Sequence, residues 1–240
     1  MAGHSKWNNI KNRKGAQDAK RGKLFQKLSR EIYMAAKAGD VDPDMNPTLR
    51  LAVDKAKAAN MPNDNINRAI KRASEAGAGE NYDEVVYEGY GPAGVGILVY
   101  GLTDNHNRTS TNVRTAFNHN HGNLGERGSV SFQFERKGYI AIDRSQVEVD
   151  EDTMLMRVLE AGGEDLEVSD EAFEITTEPE QLAKVRDDLQ QDYTLAQVEL
   201  TMLPNVTIDL PEAEVEKFEQ LIEALEDDDD VTEVIHNAEY

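Results

Sequence analysis

RKGYIAIDRSQVEVDEDTMLMRVLEAGGEDLEVSDEAFEITTEPEQLAKVRDDLQQDYTLAQVELTML, residues 136–203, decides the fold of this chain. Residues 137–142 alternate as a strand. Residues 151–161 carry apolar positions at helical spacing. Strand-like runs follow at 165–168 and 172–176, then a helix over 178–190 and a strand over 194–202. The order is β-α-β-β-α-β, the plan of a ferredoxin-like domain.

Working outward from this unit, residues 80–134 begin with two alternating strands, 82–90 and 95–102, on either side of a tight glycine-rich connection. That connection lacks the Gly-Lys-Ser/Thr ending of a phosphate-binding loop and opens no helix. A helix over 105–120 with Val113 and Phe117 inward, a glycine-rich loop over 122–128 and a third strand over 129–134 complete the block. After 203 come a short strand within 205–209, a helix over 212–225 with Val215, Phe218, Leu221, Ile222 and Leu225 inward, and a last strand over 231–236. These supply the helix and strand that 80–134 lacks for a two-layer sandwich. The expected class is therefore α+β multidomain. A helical domain spans 1–79, a middle α+β domain spans 80–134 plus 205–240, and a ferredoxin-like domain, 135–204, is inserted into the middle one.

The first 79 residues read as a basic arm and a three-helix bundle. Leu24, Leu28, Ile32 and Ala35 line one face of the first helix. Asn46-Pro47 is a cap followed by proline at the first helical position, with Leu49, Ala52, Val53 and Ala56 inward behind it. Asn60-Met61-Pro62 separates the second helix from the third, whose inner face is Ile66, Ala69, Ile70 and Ala73. Gly77 and Gly79 end it.

Charge is segregated along the chain. The net charge is −20, yet residues 1–72 hold 16 Lys and Arg against 7 Asp and Glu, whereas residues 145–240 hold 4 against 30. The cationic run is GHSKWNNIKNRKGAQDAKRGKLFQKLSREIYMAAK, residues 3–37, in which Lys6, Lys11, Arg13, Lys14, Lys20, Arg21, Lys23, Lys27, Arg30 and Lys37 meet only Asp18 and Glu31. Lys20, Lys23, Lys27, Arg30 and Lys37 are expected on the outward face of the first helix. Cations concentrated at one end of an acidic chain make a field that attracts phosphate backbones. Trp7, the single tryptophan, either stacks on a base or docks in a groove, or folds back onto the helical domain as an anchor. A polar run at 104–111 sits at a strand-to-helix junction. It reads either as a richly capped helix start or as an anion site in which Asn105, Asn107, Arg108 and Arg114 take part.

Several classes of chemistry are excluded. Without cysteine there is no disulfide framework, thiolate metal site or thiol nucleophile. His119 and His121, two residues apart, share no helix face and lack a completing ligand. The carboxylates of Asp227–Asp230 follow a helix and lack the spacing of a calcium loop. No serine nucleophile stands beside a histidine base. No apolar run spans a bilayer, and the basic start lacks the features of a secretion or import signal. The reading is a cytoplasmic, non-enzymatic protein with no cofactor, no metal, no membrane partner and no obligatory small-molecule ligand.

Four separated motifs occur in order: Gly3-His4-Ser5-Lys6-Trp7 with the basic residues after it as far as Lys23-Leu24-Phe25; Asn60-Met61-Pro62; Tyr87-Glu88-Gly89-Tyr90-Gly91-Pro92; and Thr103-Asp104-Asn105 with Asn107-Arg108-Thr109. In these the whole chain resembles the YebC/PmpR family. The resemblance implies three domains, cytoplasmic DNA binding and transcriptional regulation. Relatives that include mitochondrial translational activators imply, alternatively, a translation factor that grips ribosomal RNA through the same surface. It implies no catalytic residues. The binding candidates it supports are the basic positions of residues 6–37 together with Trp7.

Overall fold

The computed structural model describes Trp7, residues 21–75 and residues 81–240. Helices α1 (Arg21–Ala38), α2 (Pro47–Ala58) and α3 (Asn63–Glu75) pack around Leu28, Ile32, Leu49, Val53, Met61 and Ile66. Asn46 does two jobs here. Its side-chain oxygen accepts from Leu49 N at 3.1 Å, capping α2, while its amide donates to Ala35 O at 2.9 Å and Asp40 O at 2.7 Å, fixing the end of α1. The turn before α3 works because Asn60 takes a left-handed backbone (φ 57°), which asparagine tolerates, and so points Met61 into the core. The helix end expected at Gly77 and Gly79 lies outside the described residues.

Strands β1 (Asp83–Tyr90) and β2 (Gly96–Thr103) form an antiparallel pair in register from Asp83 opposite Thr103 to Tyr90 opposite Gly96. Between them Ala93 and Gly94 both have positive φ, making the tight connection the glycines predicted. A short β3 (Asn123–Leu124) lies beside β1. Strands β4 (Phe134–Asp143), β5 (Asp165–Val168), β6 (Ala172–Thr177) and β7 (Gln197–Pro204) form a second antiparallel sheet in the order β5-β6-β4-β7. This is the strand order of a β-α-β-β-α-β unit. Helices α5 (Glu151–Ala161) and α6 (Leu182–Leu189) cover one face over Ile140, Ile142, Val158, Phe173, Ile175 and Val185. Strands β8 (Ile208–Asp209) and β10 (Ala238–Glu239) pair in parallel, and β9 (Val231–His236) returns to lie antiparallel against β2, giving the first sheet the order β3-β1-β2-β9. Helices α4 (His106–His119) and α7 (Glu212–Glu226) cover it around Ile97, Val99, Phe117, Phe218 and Leu221. No described helix is long and apolar enough to cross a membrane.

One expected element is corrected. Residues 129–133 do not form a strand; Ser131–Gln133 is a single 3-10 turn that leaves Phe132 72% exposed, and the strand begins only at Phe134 as part of β4. The cause is Glu88, whose buried carboxylate accepts from the N–H groups of Gly128, Val130 and Ser131, each at 2.8 Å. Those donors are then lost to a ladder. Val130 and Phe134 still point inward, but Phe132, which a strand would place on the same face, is turned out to solvent.

Candidate nucleic-acid interface

The cationic face of α1 is engaged by the protein itself. Lys23, Lys27 and Arg30 meet the C-terminal end of α7 and the aspartate loop after it. Lys23 Nζ donates to Asp227 O at 3.2 Å and lies 3.7 Å from the Asp227 carboxylate and 3.9 Å from that of Asp229. Lys27 Nζ donates to Glu226 O at 2.5 Å, and Arg30 Nη1 to Asp229 O at 2.8 Å, with Asp230 Oδ1 at 3.4 Å. The Arg30 guanidinium also lies 5.2 Å from the centre of the Tyr82 ring. Lys37 Nζ donates to Asn81 Oδ1 at 2.6 Å. The outward placement expected is therefore corrected for Lys27, which is buried, and for Arg30, which is half-buried, whereas Lys23 and Lys37 stay exposed while making these contacts. The physical reason is the end of α7, where free carbonyls, the negative end of the helix dipole and consecutive carboxylates coincide and require cations. At 100° per residue, moreover, Lys27 lies only a quarter-turn or so from Leu28, so the cationic row flanks the apolar row rather than opposing it. Lys27 is 9% exposed, and that burial pushes its ammonium below the ordinary lysine range although Asp228, Glu226 and Asp229 pull the other way. Arg21 lies exposed at the start of α1. Lys6, Lys11, Arg13, Lys14 and Lys20 lie outside the described residues.

Trp7 is corrected as well. It is 9% exposed and packs with Tyr139, Ala141 and Ala172. Tyr139 and Ala141 alternate along β4 with Ile140 and Ile142, and Ala172 on β6 lies opposite Asp143, so all three belong to the face of the second sheet that α5 and α6 leave uncovered. Trp7 N donates to Glu174 Oε2 at 3.0 Å, and Tyr139 OH donates to the same oxygen at 2.6 Å. Burial, followed by the Glu174 charge, raises the Tyr139 phenol well above its ordinary range. The indole is thus neither free for a base nor seated on the helical bundle. Being the single tryptophan, it provides a direct check. Acrylamide should quench native emission weakly and reach the free-indole level only in denaturant; free-indole quenching in native buffer would contradict the docked position.

At 104–111 the capping alternative prevails for Asn105 and Arg108. Asn105 caps α4 by accepting from Arg108 N at 3.0 Å, and Asn105 N donates to Thr103 Oγ1 at 2.9 Å. Arg108 does hold an anion, but it is the protein's own Asp230: Nε reaches Oδ2 at 3.0 Å and Nη2 reaches it at 2.6 Å, while Asp104 Oδ1 takes Nη2 at 2.7 Å. Those two acids raise the Arg108 pKa. Thr109 Oγ1 adds a bond to Asp230 Oδ2 at 2.7 Å. Asn107 is exposed, and its carbonyl accepts from the hydroxyls of Ser110 and Thr111. Arg114 is exposed on another face of α4 and does not converge with Arg108.

Asp230 is the residue whose importance the local pattern concealed. It is 2% exposed and joins α1, the β2–α4 junction and the start of β9. One signal for it was present in the sequence. A helix ending on carboxylates alone must find cations elsewhere, and residues 20–37 are the one dense cationic helical stretch available.

A helical bundle, a sheet closed by the C-terminal strand and a second β-α-β-β-α-β sheet, joined by cation–carboxylate contacts, define a class. The chain belongs to the TACO1/YebC family: residues 5–76 match the model of the TACO1/YebC protein N-terminal domain, and residues 82–238 match that of the TACO1/YebC second and third domain. It is 65% identical to a probable transcriptional regulatory protein of Enterococcus faecalis over 100% of this chain and 99% of the relative. To a protein of the same description from Ligilactobacillus salivarius it is 63% identical, with the same coverage. Among solved structures, a conserved hypothetical protein of Aquifex aeolicus superposes with a TM-score of 0.81 at 44% identity, covering 92% of this chain and 91% of that one.

Proposed function

We propose that this protein is a nucleic-acid-binding regulator that grips phosphate backbones through the basic residues between 6 and 21, with Lys6, Lys11, Arg13, Lys14, Lys20 and Arg21 as the contacting cations. One observation carries this reading. With the α1 row engaged internally, residues 1–20 still hold five cations against a single carboxylate, in a chain of net charge −20. Such a concentration has a cost in self-repulsion that a polyanionic partner relieves. The description of the relatives as probable transcriptional regulatory proteins agrees with it. DNA in a transcriptional complex is the first reading.

Ribosomal RNA is the second. It is favoured because the most regular cationic row of α1 faces the protein itself. The contacts left to the preceding segment are phosphate contacts, which position a ligand without reading base edges. A salt series decides between them. Ribosome co-sedimentation that persists at salt abolishing duplex binding selects RNA; strong preference for one promoter sequence selects DNA. In either case the triple variant Lys11→Ala, Arg13→Ala, Lys14→Ala should lower affinity at least about tenfold and flatten the log-log salt dependence by roughly 3, about one per phosphate contact. Unchanged affinity and slope would remove this segment from the interface.

A further inference from the structure

The contact between α1 and the end of α7 has the make-up of a protein–phosphate contact turned inward. Three cations at intervals of four and three residues meet three backbone carbonyls and the carboxylates of Asp227, Asp229 and Asp230. We propose that residues 226–230 act as an internal mimic of a phosphate backbone, and that nucleic acid competes with them for the Lys23–Lys27–Arg30 face of α1. This rests on the reading above that the chain binds polyphosphate, and it gives that binding a built-in competitor.

Opening this contact is cheap on the loop side. The side chains of Asp227 and Asp229 are already 45% and 63% exposed, so water takes over when the lysine leaves. Asp230, the buried member, loses only a 3.4 Å contact to Arg30 and keeps Arg108 and Thr109. On the helix side, opening removes a penalty, because it returns the Lys27 ammonium to water; its lowered pKa shows that the loop does not fully offset the burial. The bundle keeps a core of its own apart from the loop, since Leu28, Ile32, Leu49 and Val53 pack among themselves. The far end of α1 is held close to the chain connection by Lys37 on Asn81 and by the edge contact of Tyr33 with Tyr82 at 6.4 Å. The Lys23 end is then the one free to part, with Tyr82 near the pivot. α2 is tied to the second sheet by Leu51, which packs against that sheet's core, and by a 3.8 Å pair between Asp54 and the buried Arg186, so the parting is a local one at the Lys23 end of α1 and leaves this tie in place.

The chain has no cysteine, so Lys23→Cys with Asp227→Cys introduces a unique thiol pair. A short bismaleimide across that pair holds the contact shut, and a monofunctional maleimide on the same variant is the control. Binding is measured with a mixed-sequence DNA duplex and, separately, with ribosomal RNA. The bridged protein should bind at least about tenfold more weakly than the capped one, because the competent population is removed. In the unbridged protein Asp227→Asn with Asp229→Asn should raise affinity roughly fivefold. Glu216→Gln with Glu219→Gln, which changes net charge equally on the exposed side of α7, should change it less than about twofold. Equal binding by bridged and capped protein, or equal gains from the two charge-neutralising pairs, would overturn the internal mimic while leaving the binding function intact. Absence of binding to either nucleic acid in every form would sink both.

Discussion

Arg108→Met is expected to lower the stability of the protein by about 3 kcal/mol, read as a fall in the urea midpoint at unchanged slope. The substitution keeps most of the apolar stem and removes the guanidinium. Asp230, 2% exposed, is then left with hydroxyl donors and a distant Arg30 in place of a two-nitrogen grip. Stranding a buried carboxylate costs about 3–5 kcal/mol in general. The lower end applies because the Arg108 side chain is 44% exposed and water can reach the gap it leaves. The double variant Arg108→Met, Asp230→Asn should recover at least half of the loss, since the stranded charge is gone with its partner. A single-variant loss below about 1 kcal/mol would mean that Asp230 is held by its other donors and that Arg108 is dispensable.

Glu88→Gln should cost about 2 kcal/mol near neutral pH, by withdrawing charge from three backbone N–H donors that no water reaches easily. Its pH dependence is the sharper test. Burial by itself would raise the Glu88 pKa; the donors at Gly128, Val130 and Ser131 outweigh burial and hold it below the usual carboxylate range. A carboxyl lowered in the folded state stabilises fully above its unfolded value, about 4.3, and loses that contribution as pH falls through the folded value. The stability gap between wild type and Glu88→Gln should therefore narrow as pH drops below about 4 and stay level above about 5.5. A gap that widens in acid would place the proton elsewhere.

Most of the architecture was legible because local rules agree with one another. The helix at Glu151–Ala161 has Asp150 accepting from Thr153 N at its start and Gly162 in a left-handed conformation at its end, so its limits match those read from the residues alone. The face of α1 was not legible in the same way. Periodicity locates an apolar row; it does not reveal that a second row, 200 residues away in sequence at the end of α7, will bury the neighbouring cations. Trp7 shows the same limit, for its burial could be anticipated but its partner, Glu174 on β6, could not. The error at 129–134 differs in kind. Val130 and Phe134 point inward as a strand would have them, and a single carboxylate on β1 converts the segment into a turn.

The antiparallel pairing of β2 with β9 has a consequence for how the chain is made. Ile97 lies opposite His236 on β9, whereas every strand of the second sheet falls between Phe134 and Pro204, earlier in the chain. During translation the second sheet can therefore assemble first, but the first cannot close until β9 has also left the exit tunnel. Until then one side of β2, among the most apolar stretches of the chain, stands bare, and that interval is when nascent copies are most exposed to mispairing with one another and most dependent on chaperones.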